Sequence, residues 1–192
     1  FEKQAPQMKV KPAVLMSLGA TIEVDGKTRP TTNSKGQPIA DSVESARNFW
    51  QWFGDSKVVD AQGRPLVVYH GTDAEIDAFD VKKQKAGRWG KGFYFASSRE
   101  RAAQYGKNVI PVYLRIEKPS LRATDSDGLI IGSNPADRIY TTFRPEQIKS
   151  VNNRGTFDPN DPRILNQRTT PTVTRGRIEF RPAGGARIVL NE

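Results

Sequence analysis

The apolar residues of this chain come in short runs, cut every few residues by Gly, Pro, Asn or Asp. Runs of that length suit β-strands, and no regular strand–helix–strand alternation accompanies them. The strands expected are Ala20–Val24, Pro65–Tyr69, Gly92–Ala96, Val109–Ile116, Leu129–Ile131, Ile139–Phe143 and Gln147–Val151. Along Val109–Ile116 the alternation puts Val112, Leu114 and Ile116 on one face. Helix signals are few. Asp41 and Glu44 make a capping box, Val43, Ala46, Trp50 and Phe53 recur at helical spacing, and Gly54 stops the run. A shorter helix begins at Ser97 with Glu100 and ends at Gly106. Short strands joined without crossover helices predict an α+β fold with a mostly antiparallel sheet.

Residues 1–40 read as lead-in and linker, with 26–38 dense in Gly, Pro, Thr, Asn and Ser. Residues 41–166 read as the folded domain, in which Asp60–Arg64 is a turn, 74–90 a polar basic loop and 152–162 another loop. The composition changes again at Gln167. There Arg177–Phe180 and Ala186–Leu190 flank Pro-Ala-Gly-Gly, a hairpin in what reads as a junction segment, 167–192. The chain begins at Phe1 without the features of a signal peptide and reads as an excised or processed piece of a longer protein.

The absence of Cys excludes disulfides, thiol nucleophiles and thiolate metal ligands, and with a single His it argues against a structural zinc; no metal is expected. No apolar run approaches the ~20 residues of a membrane span. A net charge of +9 points to an acidic partner, nucleic acid or an anionic cofactor. A solvated basic surface explains the same number, since no run of five basic residues occurs.

The stretch richest in chemistry runs from Val67-Val-Tyr-His-Gly-Thr72 through Gly90-Lys-Gly-Phe-Tyr-Phe-Ala96 to Ala102-Ala-Gln-Tyr105. His70 at a strand end puts an imidazole at a sheet rim, where it can hydrogen-bond a ribose hydroxyl. Gly71 beside it lets a ligand approach the main chain, whose N–H and C=O can pair with an amide. Tyr94 on a strand and Tyr105 on the next helix can wall a slot for a flat cationic ring such as nicotinamide. Each of these residues, taken alone, also fits an ordinary structural role.

Together the motifs resemble the poly(ADP-ribose) polymerase-like, His-Tyr-Glu branch of the ADP-ribosyltransferases. That branch shows His-Gly-[Ser/Thr], then Gly-Lys-Gly-x-Tyr-Phe-Ala, then a second Tyr eleven residues after the first, the spacing of Tyr94 and Tyr105. A third element, Glu-Tyr-x-x-aromatic-x-x-x-Gln-[Val/Ile], is matched by Ile139-Tyr-Thr-Thr-Phe143-Arg-Pro-Glu-Gln147-Ile148. The likeness spans roughly Pro65–Val151. It is closest to phage and prophage ADP-ribosyltransferase domains in large polyvalent proteins, whose usual ending is similar to Pro145–Ser150 followed by Asn153–Pro162.

The resemblance implies a split barrel of two antiparallel sheets with NAD as substrate in the cleft between them. It implies that His70 bonds the adenine-side ribose, that Gly71 pairs with the carboxamide, and that Tyr94 and Tyr105 sandwich the nicotinamide. Thr72 and Ala96 complete the NAD-contacting motifs. Two positions depart from the pattern. Ala102 stands where the family often has a Ser that bonds the carboxamide, and Ile139 stands where it has the third-strand Glu. Members with Ile there are mono-ADP-ribosyltransferases, or in some cases inactive. Asp137, two residues earlier, shares a face with Ile139 if the strand extends that far, so either Ile139 or Asp137 fills the third catalytic position. Glu146 is a more distant carboxylate, past a turn at Arg144-Pro145.

The expected function is NAD-dependent mono-ADP-ribosyl transfer to a host protein or nucleic acid, by a phage- or prophage-derived effector acting in the host-cell cytoplasm or carried in the phage particle. The alternative is a weak or inactive module of a large phage protein that binds NAD or nucleic acid. The acceptor stays open between Arg, Glu or Ser side chains, DNA and RNA. Lys82, Lys83, Lys85, Arg88 and Lys91 lie in the loop before Tyr94 and could hold the NAD pyrophosphate or a nucleic-acid backbone.

Overall fold

The computed structural model describes residues 19–122, 124–153, 156–165, 177–180 and 186–189. The chain first forms a hairpin, β1 (Thr21–Val24) and β2 (Lys27–Pro30). Asp25 and Gly26 at its tip both have left-handed backbones, φ 51° and 72°, the type I′ geometry that Asp-Gly favours in two-residue hairpins. The stretch read as linker is therefore partly strand. It is also anchored: Thr31 and Asn33 are buried, and the Asn33 amide donates to the Tyr113 hydroxyl at 3.0 Å.

Helix α1 (Val43–Phe53) follows. Its cap is Ser42, whose side chain accepts from the Ser45 N–H at 3.1 Å, one residue later than the Asp41 capping box expected. Gly54 ends it at φ 59° and donates its N–H to Trp50 O at 2.8 Å. The buried face carries Ala46, Phe49, Trp50, Trp52 and Phe53. Phe49 is the hub of an aromatic cluster, with Trp50, Trp52, Phe53, Tyr113 and Phe157 rings at 5.0–5.9 Å between centroids.

The next seven strands make one antiparallel sheet in the order β7-β8-β5-β3-β6-β9, with β4 added to β5. They are β3 (Val68–Thr72), β4 (Lys85–Gly87), β5 (Gly90–Ala96), β6 (Asn108–Leu114), β7 (Gly128–Ile131), β8 (Ile139–Thr142) and β9 (Ile148–Ser150). A short helix, α2 (Arg99–Ala102), runs into a 3₁₀ turn, Ala103–Tyr105, between β5 and β6. The expected α+β class with antiparallel pairing is what forms. Strand β3 begins three residues later than expected because Pro65 offers no N–H and Leu66 gives its own to Val58 O at 3.0 Å, outside the ladder. His70 thus lies inside the strand rather than at its end.

The sheet is nearly two sheets. Strands β3 and β6 pair over five positions, whereas β3 and β5 share only Tyr69↔Ala96. One half is β4, β5, β8 and β7, the other β3, β6 and β9, and the two part beyond that single pair. This is the split arrangement that the resemblance implies. Alternation assigns the cores. Tyr69, Ala96 and Tyr113 face α1, and Ala102 packs on the same side. Val68, Phe93, Phe95, Val112, Leu114 and Tyr140 face the other way, where loop residues Val58, Phe79 and Ile164 cover them.

Strands β10 (Arg177–Phe180) and β11 (Ala186–Val189) form the expected C-terminal hairpin, whose connecting residues 181–185 lie outside the described ones. Among the described residues, no helix is long and apolar enough to cross a membrane.

Candidate functional site

Strand β3 delivers His70, Gly71 and Thr72 to the place where the sheet opens. Beyond Tyr69↔Ala96, the β5-facing edge of β3 has no ladder. The His70 side chain fills part of that gap. Its Nδ1 lies 2.8 Å from the main-chain oxygen of Tyr94. A carbonyl oxygen only accepts, so Nδ1 carries the proton and, in the neutral ring, Nε2 is the acceptor. The imidazole is half-buried and packs against Phe79 and Phe95, with centroids 4.9 and 5.4 Å away. Tautomer and orientation are both set by these contacts.

Gly71 and Gly106 join β3 to the end of the α2–3₁₀ segment, backbone on backbone. A methyl group on Gly71 would lie 2.7 Å from the Ala102 carbonyl carbon and 3.3 Å from the Tyr105 Cβ. One on Gly106 would lie 2.5 Å from the Thr72 Cα. The sequence suggests that Gly71 admits a ligand; the structure adds that Gly71 admits the helix end, which seats Tyr105 beside it. Tyr105 is 69% exposed, so its ring projects from this junction. Ala102, at the position where the family pattern often has Ser, is buried in the same junction.

Tyr94 is half-buried on β5. Its hydroxyl donates to Gly90 O at 2.6 Å, and its ring lies over Gly87 of β4, where a methyl would meet the hydroxyl oxygen at 2.8 Å. Ala96 ends the same strand, two residues on and on the same face. Its register partner on β8 is Ile139, half-buried between Ala96 and Ile131 of β7. The structure thus brings together His70 with Tyr94, Gly71 with Tyr105, Thr72 with Gly106, and Ala96 with Ile139.

Asp137 is placed differently from the extended-strand reading. It sits in a 3₁₀ turn, Pro135–Asp137, before β8 begins, and Asn134 caps that turn. Its side chain is 70% exposed and forms an ion pair with Arg101 of α2, whose Nη1 also donates to Asp137 O at 3.1 Å. It therefore stands at the rim beside α2 and not on the Ile139 face of the strand. Glu146 lies at the opposite end of β8, in the 3₁₀ turn Pro145–Gln147. Its main chain accepts from Trp52 Nε1 at 2.9 Å, and it borders a separate cavity of about 350 Å³ with Arg115, Asp127 and Arg144.

One polar group on the Ile139 face went unnoticed in the sequence. Thr141 is two residues along β8 and pairs with Tyr94 in register. It is fully buried, and among the described residues its hydroxyl has no hydrogen-bond partner. The period of two from Ile139 was the available signal. Among the described residues, no group of three His, Asp or Glu side chains is arranged to hold a metal ion.

The segment from the Asp60 turn through β6 also matches a known family. Residues 60–126 fit the family model of the ADP-ribosyltransferase in polyvalent proteins, about a third of the chain. The matched span contains His70, Gly71, Thr72, Tyr94, Ala96 and Tyr105, and stops before Asp137 and Ile139. No curated protein matches the chain. By that match, residues 60–126 are similar to the ADP-ribosyltransferases of polyvalent proteins.

Proposed function

We propose that the chain is an NAD-dependent mono-ADP-ribosyltransferase, phage- or prophage-derived, that modifies a macromolecule of the host. The observation that carries this reading is the His70–Tyr94 bond across the parted strands, because it ties the imidazole of one motif to the strand of the other where the sheet opens. In this reading Nε2 accepts a hydroxyl of the adenine-side ribose. The main chain at Gly71, on the edge of β3 without a ladder to β5, pairs with the carboxamide. The Tyr94 and Tyr105 rings flank the nicotinamide, and Thr72 and Ala96 line the same ground.

Transfer breaks the bond between the nicotinamide nitrogen and the ribose carbon. The electron pair leaves with nicotinamide, which departs neutral, and positive charge gathers on the ribose. An oxygen or nitrogen of the acceptor then bonds that carbon and loses its proton to solvent. Binding and orientation supply much of the acceleration. Ile139 neither accepts a ribose hydroxyl nor offsets the positive charge, so the reading is single units added slowly. The domain works as one part of a larger polyprotein, in the host cytoplasm or the phage particle.

A second reading has support in two side chains. Ile139 is apolar between two apolar neighbours, and Ala102 is buried against Gly71. Both favour a module that holds NAD or nucleic acid without turning NAD over. Incubation with NAD labelled in the adenylate, with nicotinamide release measured beside label transfer to a host lysate, decides. Release and transfer support the transferase; calorimetric NAD binding with neither supports the module.

A further inference from the structure

We infer that the β4–β5 hairpin is a docking surface for a single-stranded polynucleotide. The placement of charge carries this first. Residues 81–107 hold eight Lys and Arg and one acid, Glu100, a surplus of seven out of the chain's nine. The rest of the chain is near balance. The surplus is spatially ordered: Lys82 and Lys83 lie on the 3₁₀ turn before β4, Arg88 at the hairpin tip, Lys91 on β5 and Arg99 on α2, all exposed. Between Val81 and Gly92 there is no acid at all.

The hairpin tip supplies the second, independent observation. Gly87 pairs with Gly90, so Arg88 and Trp89 alone form the turn. Gly90, at φ 100°, takes the left-handed backbone of the tip, and neither Arg88 nor Trp89 does, so the turn itself demands neither side chain. Nor is Trp89 a core residue, for it is 36% exposed. The Arg88 guanidinium lies 5.3 Å from its ring, which holds an indole and a cation together at the outermost point of the hairpin. A basic track with an outward aromatic is what unpaired bases and their phosphates require: phosphates meet the cations and a base stacks on the ring. A duplex keeps its bases stacked and offers the indole nothing. A dinucleotide pyrophosphate carries fewer charges than this surplus and has no use for an aromatic at the tip.

Binding of labelled oligothymidylate and oligouridylate to the whole chain, without NAD, tests the surface apart from the transferase reading. The expected salt dependence has a log–log slope of about −3, for four or five phosphates at about −0.7 each. Replacing Lys82, Lys83 and Arg88 together by Ala should flatten it to about −1. Trp89→Ala should weaken binding about tenfold, and Trp89→Phe should restore most of it. NAD affinity should stay within about twofold in all of these variants. His70→Ala should leave oligonucleotide binding intact, so a failed NAD site and a failed hairpin give different results. Equal affinity for duplex DNA or polyaspartate, with no effect of Trp89→Ala, would overturn the inference. So would an NAD affinity that falls with the oligonucleotide affinity, which would assign the hairpin to the pyrophosphate.

Discussion

His70 donates from Nδ1 to the main-chain oxygen of Tyr94 at 2.8 Å, across the gap where β3 and β5 stop pairing. The two residues that the motifs set 24 positions apart are therefore one unit, with a side chain standing in for a ladder bond. His70→Ala should weaken NAD binding by about ten- to a hundredfold, the equivalent of one or two hydrogen bonds lost to a bound ligand. It should also lower stability by about 1–2 kcal/mol, because the Tyr94 carbonyl loses its donor. Calorimetry with NAD and urea unfolding measure the two effects. An unchanged NAD affinity in the folded variant removes His70 from the site.

The two tyrosines should separate by their burial. Tyr105 is largely exposed, so Tyr105→Ala should leave unfolding almost unchanged while raising the NAD dissociation constant several-fold. Tyr94 also ties down the hairpin through its hydroxyl on Gly90 O. Tyr94→Phe should cost about 0.5–1.5 kcal/mol of stability and little NAD affinity, and Tyr94→Ala should cost both. If Phe impairs NAD binding as severely as Ala, the hydroxyl is the working group and the stacking role fails.

Much of this was legible before the fold was seen. Short apolar runs located β5, β8 and β9, and alternation β6, within a residue or two, and the composition shift found the C-terminal hairpin. The Asp25-Gly26 turn was legible too, but the Thr, Asn and Ser around it suggested a loop. What hid the order around β2 is that Asn33 and the Pro30 carbonyl find their side-chain partners, Tyr113 and Trp50, far along the sequence. The Gly71–Ala102 junction was invisible for the same reason: nothing local says that a helix end will press on that glycine. Asp137 would share the Ile139 face only if the strand reached back to it, and the turn-starting pair Asn134-Pro135 is the local signal that it does not.

Gly71→Ala should be more damaging than a typical surface change. Its methyl would meet the Ala102 main chain, which cannot rotate away as a side chain could. A loss of about 1–3 kcal/mol is expected, with Tyr105 displaced. A urea midpoint like that of the parent chain would mean that the helix end is not seated as described.

Lys149 gives a pH test. It is buried on β9, where desolvation lowers its ammonium to about 8, while the carbonyls of Asp161 and Arg163 accept from it. Between about 8 and the ordinary value of 10.5, the unfolded chain holds a proton that the folded one has lost. Stability should therefore rise with pH from about 8 towards 10. Above 10 the buried Tyr113, whose phenol is held protonated by desolvation, pulls the other way. Lys149→Met should abolish the rise. A melting temperature that falls steadily from pH 8 in the parent chain would contradict the assignment.

The last prediction decides the third catalytic position. Ile139 lies on the Tyr94 face of β8, opposite Ala96, and Asp137 stands at the rim bound to Arg101. A carboxylate at 139 would accept ribose hydroxyl bonds and offset the developing positive charge, as an apolar side chain cannot. Ile139→Glu should therefore raise turnover of NAD, and Ile139→Gln, which accepts a hydroxyl without the charge, should raise it less. Asp137→Asn should cost under about 1 kcal/mol of stability, since the Asp137 side chain is 70% exposed. If Asp137→Asn nevertheless ends turnover and leaves NAD binding unchanged, Asp137 is the third member, and Arg101 is the positioning residue that aims it. Arg101→Gln should then slow turnover as well, with NAD affinity preserved. If Asp137→Asn is silent and Ile139→Glu gains activity, the site is a transferase without its usual carboxylate, and the wild-type product should be single ADP-ribose units. Long polymers made by the parent chain would exclude the mono-transferase reading whichever residue fills the position.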